Sequence, residues 1–220
     1  AGTIDGGADT ATISLTAAAA QTAAGNTTFA GKVTNFEQLT LTGANATQTI
    51  DAAKLGNYNY VTVTAGNAAT ATTTLTGLTS GATIALNDAN DNTNANDTIV
   101  ATIKDATLVA NTSDVLNIAI SAKAAGTVAG IVVGTADDNG TVTAAGVETI
   151  NISVLDAVNE ATVVGAAVGT KNKAADTQNL TLQATSAKTI TITGDTALNL
   201  TNVGNTAVTT IDASAMTGDL

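Results

Sequence analysis

The chain lacks cysteine, proline, histidine and tryptophan altogether, and its 220 residues include only two Phe and two Tyr. Without Cys, disulfide scaffolds, thiolate metal sites and thiol catalysis are excluded together. Without His, the commonest general base and the commonest transition-metal ligand are missing. So few large aromatics cannot anchor a globular core, yet 44% of the residues are hydrophobic, most of them Ala, Val, Ile and Leu. Such material suits a long thin core of stacked small aliphatics. With no proline, turns fall to the 20 Gly and to Asn and Asp.

Positive charge is also scarce. There are seven Lys and no Arg, and the net charge is −11. A nucleic-acid partner is therefore not expected, because phosphate neutralisation needs a basic patch. An acidic chain invites cations instead, diffusely or at sites built from carboxylate, amide and carbonyl oxygens. No apolar run approaches the roughly 20 residues of a membrane span, so no transmembrane segment is expected. Neither end reads as a signal peptide, which puts any export signal outside this segment.

What the chain does contain is a recurring alternation. Leu, Ile or Val takes every second place, with Thr, Asn or Ser between, in runs from Thr10 to Leu15, Gln38 to Thr42, Tyr60 to Thr64, Thr72 to Thr76, Thr83 to Leu86 and Thr98 to Ile103. The same pattern returns from Val115 to Ile120, Thr149 to Val154, Asn179 to Leu182, Thr189 to Thr193 and Ala197 to Leu200. Each predicts a half-buried strand. Toward the C-terminus the runs start about every 10 residues with no helical segment between, and beyond Asp5-Gly6 only Asn139-Gly140 offers a two-residue hairpin turn. A coil of roughly 20 residues fits better than hairpins. The expected fold is all-β: an irregular parallel β-solenoid, β-helix or β-roll-like, with loop or short-helix excursions at Ala17 to Gly31 and Val158 to Asp176. The polar stretch Asn87 to Asp97 suggests two blocks, residues 1–90 and 91–220.

Internal similarity supports repetition. Phe36-Glu37 and Val147-Glu148 each precede a strand, and Thr-Ile-Asp-Ala recurs at Thr49 to Ala52 and Thr210 to Ala213, closing a rung. The segment QNLTLQATSAKTITITGDTALNLTNVGNTAVTTIDASAMTG, Gln178 to Gly218, closely resembles part of the C-terminal half of the RTX-type bacterial S-layer proteins of the Caulobacter kind. SDVLNIAI from Ser113 and GVETINIS from Gly146 resemble the strands that precede it there. The likeness is collinear from about Asp88 to Gly218; residues 1–87 resemble the family by module type. It implies a calcium-dependent β-solenoid of the extracellular cell surface, secreted by a type I pathway. Such a protein assembles laterally with its own copies into a two-dimensional lattice, attached to the cell through a region outside this segment. Large RTX adhesins share such modules, so the alternative is a stalk or passenger segment of an adhesin. The RTX nonapeptide itself survives only at Asp5-Gly6-Gly7-Ala8-Asp9, one Gly short.

The candidate calcium ligands follow from oxygen density and turn position. Asp88, Asp91 and Asp97 sit among Asn residues in the Asn87 to Asp97 stretch, which otherwise reads as a solvated polar loop. Asp5 and Asp9 flank Gly6-Gly7 in the RTX manner. Asp137 and Asp138 precede Asn139-Gly140 and read as a turn or a ligand pair. Asp51 and Asp212 follow Thr-Ile at rung ends, where an Asx-turn is the plain account. Asp114 can cap a turn or share an ion with a neighbouring coil. No enzyme is expected: Glu37 and Glu148, repeated before strands, are paired carboxylates of the kind glycosidases use, but they lack a His, Arg or aromatic platform to bind sugar. The Thr-x-Thr runs suggest an ice-binding face, against which the irregular rungs argue.

Overall fold

Alternation of β-branched and polar residues does form strands throughout. The computed structural model describes residues 2–42, 47–56, 58–64, 71–87, 98–108, 110–122, 127–128, 131–132, 137–156 and 177–220. In chain order the strands are β1 (Ile4–Asp5), β2 (Thr12–Thr16), β3 (Val33–Thr34), β4 (Gln38–Thr42), β5 (Gln48–Asp51), β6 (Tyr60–Val63), β7 (Thr72–Leu78), β8 (Ala82–Asn87) and β9 (Thr98–Ile103). They continue with β10 (Val115–Ala122), β11 (Thr127–Val128), β12 (Ile131–Val132), β13 (Asp137–Thr143), β14 (Thr149–Asp156), β15 (Gln178–Gln183), β16 (Thr189–Gly194), β17 (Leu198–Asn202) and β18 (Thr210–Met216). Two helices are described, α1 (Ala17–Ala24) and α2 (Ala52–Leu55). Every alternating run of the sequence lies in a strand, with ends that differ by at most two residues.

Fourteen of these strands form two parallel sheets, while β1 pairs with β3 in parallel and β11 with β12 antiparallel. One runs β18-β16-β14-β10-β8-β6-β4-β2, the other β17-β15-β13-β9-β7-β5. Parallel neighbours need a crossover between them. Here the crossover is a strand of the opposite sheet, so each coil contributes one strand to each sheet. That is a two-sided β-solenoid. Both sheets pass without a break from residues before 88 to residues after 97, through the pairs β8–β10 and β7–β9.

Coil stacking explains the choice of core residues. Parallel strands lie about 4.8 Å apart, so a side chain meets its equivalents directly above and below. Ile84, Ile118, Ile152 and Ile192 form one inward row, in register and buried. Ala82, Leu116, Ile150 and Ile190 form another. Each large aliphatic buried this way contributes about 1.5–3 kcal/mol. The outward positions between them carry Thr, Ser and Asn. Among these, Asn151 Nδ2 donates to Asn117 Oδ1 at 2.9 Å, and Asn117 Nδ2 donates to the Gly81 carbonyl at 2.8 Å.

Coil length is more variable than the spacing near the C-terminus suggested. The corner residues Lys188 and Thr209 are 21 residues apart, but Ala11 and Glu37 are 26 apart and Asp114 and Glu148 are 34 apart. The paired strands hold their register except at shifts between Leu75 and Leu78, Asp138 and Thr141, and Thr191 and Thr193.

The excursion expected after Thr16 is a helix. Ala has the highest helix propensity, and the Thr16 hydroxyl caps the first turn by accepting from Ala19 N–H at 3.1 Å. Ala17, Ala20 and Ala24 are buried on one face, against β5. Thus α1 occupies, in the first coil, the place that a strand takes in later coils. The excursion expected at Val158 to Asp176 lies wholly outside the described residues, as does the Asn87 to Asp97 stretch apart from Asn87.

One expectation needs correction. Asp137-Asp138-Asn139-Gly140 is not a free turn, because it belongs to β13, which pairs with β15 on one side and β9 on the other. The turn chemistry survives as a register shift between Asp138 and Thr141, where Asp138 Oδ1 accepts from Gly140 N–H at 2.8 Å. Sheet pairing overrides the local preference because Asn139 is buried there and its Nδ2 donates to Gln178 Oε1 at 2.9 Å.

Candidate functional site

Of the aspartates singled out in the sequence, Asp5, Asp138 and Asp212 each bond a backbone amide two residues on. Asp5 Oδ1 accepts from Gly7 N–H at 3.0 Å and from Asn35 Nδ2 at 2.8 Å. Those bonds hold its carboxyl below the ordinary aspartate range. Asp212 Oδ1 accepts from Ser214 N–H at 2.9 Å, and its bonds to Ser214 lower its carboxyl likewise. Asp51 ends β5 and pairs with Lys54 at 3.2 Å on the surface. Asp9 is exposed. Asp88, Asp91 and Asp97 lie outside the described residues; for Asp137 the backbone alone is described.

Asp114 is different. It is 3% exposed, and its Oδ2 is buried with no hydrogen-bond partner. Only Asn205 Nδ2 shares that condition among the described residues. A buried carboxylate oxygen without a partner is costly, so such an atom marks a place where a counter-charge is wanted.

The neighbours of Asp114 come from the next coil. Glu148 Oε2 accepts from the Asp114 backbone N–H at 3.0 Å, while the Asp114 carbonyl accepts from Glu148 N–H at 3.2 Å and Thr149 N–H at 3.0 Å. Glu37 repeats the device at the start of the solenoid: its Oε2 accepts from Ala11 N–H at 2.7 Å, and the Ala11 carbonyl accepts from Glu37 and Gln38 N–H, both at 3.1 Å. The repeated Glu before a strand is therefore a clasp between successive coils. The sequence carried the signal in Phe36-Glu37 and Val147-Glu148, but which amide each Glu reaches was not legible. Glu37 also faces Tyr58, whose phenol is pushed up by burial and then by that charge.

Glu37 and Glu148 do not form a catalytic pair. They precede β4 and β14, four strand spacings apart in one sheet, a separation of roughly 19 Å at about 4.8 Å per strand. Glycosidase carboxylates stand about 5–9.5 Å apart. No group of three acidic side chains converges among the described residues. Among those residues, too, no helix is long and apolar enough to cross a membrane.

No protein-family model matches the chain, and no curated protein matches it.

Proposed function

We propose that this chain is a non-catalytic structural segment of a bacterial surface layer, an extracellular calcium-stabilised β-solenoid whose copies assemble into a two-dimensional lattice. The observation that carries the reading is the architecture: two continuous parallel sheets, a core of small aliphatic rows and outward polar ladders. Among the described residues its carboxylates make turns, an ion pair and coil clasps, and no three of them converge.

Calcium fits one described place. Asp114 offers a buried oxygen without a partner, and Glu148 brings a second carboxylate from the next coil to the same corner. Calcium accepts carboxylate oxygens in flexible geometry, so two carboxylates brought to one corner would supply part of its donor set. Asp114 and Glu148 would hold the ion. When bound, it supplies positive charge and a crosslink between two coils.

The test is removal of calcium from the 220-residue chain, read by thermal unfolding and by negative-stain images. The reading expects a Tm that falls on chelation, regular sheets that form with calcium and disperse without it, and a calcium-dependent rise in Tm that Asp114→Asn abolishes. A melting curve indifferent to chelator removes the calcium role. Isolated rods at high concentration with calcium favour the adhesin stalk.

A further inference from the structure

Asparagine followed two residues later by Thr or Ser is the acceptor pattern for an N-linked sugar, and this Thr-rich chain holds it eight times. At Asn45 and Asn96 the acceptor lies outside the described residues. The fold sorts the other six. Asn139 is buried in β13, with its Nδ2 donating to Gln178 Oε1 at 2.9 Å. Asn151 and Asn199 lie within strands and spend Nδ2 on ladder bonds to Asn117 Oδ1 and Asn179 Oδ1, both at 2.9 Å. Asn179 is held in β15, paired on both sides. A side chain in any of these strands can enter a transferase only if its coil opens. Asn111 stands before β10, but it is half-buried and its Nδ2 donates to the Asp105 carbonyl at 3.4 Å.

Asn26-Thr27-Thr28 is the exception. It lies in the turn after α1, where Gly25, Asn26, Thr27 and Thr28 are all exposed. The backbone of that turn is fixed: Asn26 N–H donates to the Ala23 carbonyl at 2.9 Å, and Phe29 N–H donates to the Asn26 carbonyl at 3.0 Å. Half-buried Phe29 packs against the core and anchors it. The two ends of the Asn26 amide then differ. Its Oδ1 accepts from Thr28 N–H at 3.0 Å and from the Thr28 hydroxyl at 2.9 Å, while its Nδ2 has no partner among the described residues and faces solvent.

That asymmetry is what amide nitrogen chemistry requires. An amide nitrogen is a poor nucleophile because its lone pair is shared with the carbonyl. When Nδ2 gives up a proton the charge falls largely on Oδ1, and two donors already aimed at Oδ1 stabilise it there. The hydroxyl two residues on is thus part of the acceptor. An Asx-turn supplies the geometry without help from the rest of the fold.

We propose that Asn26 is a glycosylation site, taking a sugar from a diphosphate-activated donor through a transferase of the producing cell. One Nδ2 proton passes to a base of the transferase, and Nδ2 forms a bond to the anomeric carbon. The bond from that carbon to the diphosphate oxygen breaks, with its electron pair leaving on the diphosphate. No oxidant or reductant is involved. The proposal rests on the cell-surface reading given above, since surface loops of exported proteins are where such sugars are found.

The test is mass spectrometry of the full-length protein isolated from the cells that make it, on the tryptic peptide that ends at Lys32. The expected result is a hexose-type mass addition located on Asn26, absent from Asn26→Gln and Thr28→Ala and retained in Thr28→Ser, which keeps the hydroxyl. Circular dichroism melts show that the variants fold, and a merely structural role for Thr28 would not move the sugar occupancy. Unmodified Asn26 in the native protein overturns the proposal, as does a sugar found only at other asparagines. A Thr28→Ala chain modified as fully as the wild type overturns the role of the hydroxyl turn. Unmodified protein that still forms calcium-dependent sheets removes this inference alone, whereas a glycosylated protein that forms no sheets removes the surface-layer reading alone.

Discussion

Glu148 holds the backbone N–H of Asp114 at 3.0 Å across two successive coils, and Asp114, so held, is the described aspartate with a buried, unpartnered oxygen. One bond thus fixes the corner and delivers a second acidic group to it. Nothing comparable is buried at the Glu37 corner, where the amide reached belongs to Ala11.

The two clasps should differ in strength. Glu148 is half-buried and Glu37 exposed, so Glu148→Ala is expected to cost about 1.5–3 kcal/mol, the range for a charge-assisted bond, and Glu37→Ala less than about 1 kcal/mol. Glu148→Gln retains an acceptor and should recover most of the loss. Urea unfolding of the three variants measures this, and equal costs at both corners would contradict the burial argument.

Gly194 stands in the inward row between Val154 and Met216 with φ at +132°, and a Cβ there would collide with the Val154 carbonyl oxygen. Backbone stands on one side and backbone strain on the other, so Gly194→Ala is expected to destabilise by roughly 3 kcal/mol. Gly81 has φ at +87° but open space around the same position. Gly81→Ala should cost only the left-handed penalty, about 1–2 kcal/mol.

Gln21 caps a strand from a helix. Its Oε1 accepts at 2.8 Å from the N–H of Thr49 in β5, the edge strand over which α1 lies. Gln21→Ala should leave that amide to water and raise its hydrogen-exchange rate by about tenfold, as expected for loss of one bond of about 1.4 kcal/mol. Unchanged exchange at Thr49 would mean that the helix alone protects the edge.

The turns at Asp5 and Asp212 should respond to acid. Both carboxyls are lowered by hydrogen bonds to the ionised form, so folding favours deprotonation. The sign follows: their contribution is present above the ordinary value of 3.8 and is lost as pH falls through the lower folded value. Carbon-detected NMR titration should place both midpoints below 3.8. Asp5→Asn, which keeps an oxygen acceptor for Gly7 and cannot ionise, should hold its turn through the same range.

Much of the fold was legible because strand formation here is local. Thr98 to Ile103 and Gln38 to Thr42 were marked out by alternation alone, with the bounds that the structure gives them. The Ala-rich run after Thr16 read as either a short helix or a loop, and the Thr16 cap with burial of Ala17, Ala20 and Ala24 decided for a helix over its first eight residues. β5 and β18 were seen only as the closing Thr-Ile-Asp-Ala of a rung: the four residues of β5 give alternation too little length to stand out, and in β18 Ala stands at the alternate positions after Ile211. β13 was hidden by Asn139-Gly140, whose turn preference is strong until Gln178 of another coil supplies a partner.

By itself, then, the sequence determined which residues face inward and that small aliphatics, not aromatics, must fill the core, because side-chain alternation and volume are properties of each segment. Only the tertiary structure decided that β10 lies between β8 and β14, that Glu148 reaches Asp114, and that Asp114 loses water while Asp5 and Asp212 keep it. Those outcomes depend on register between coils 20 to 41 residues apart, and register is set by the stacking of whole rows rather than by any one stretch of chain.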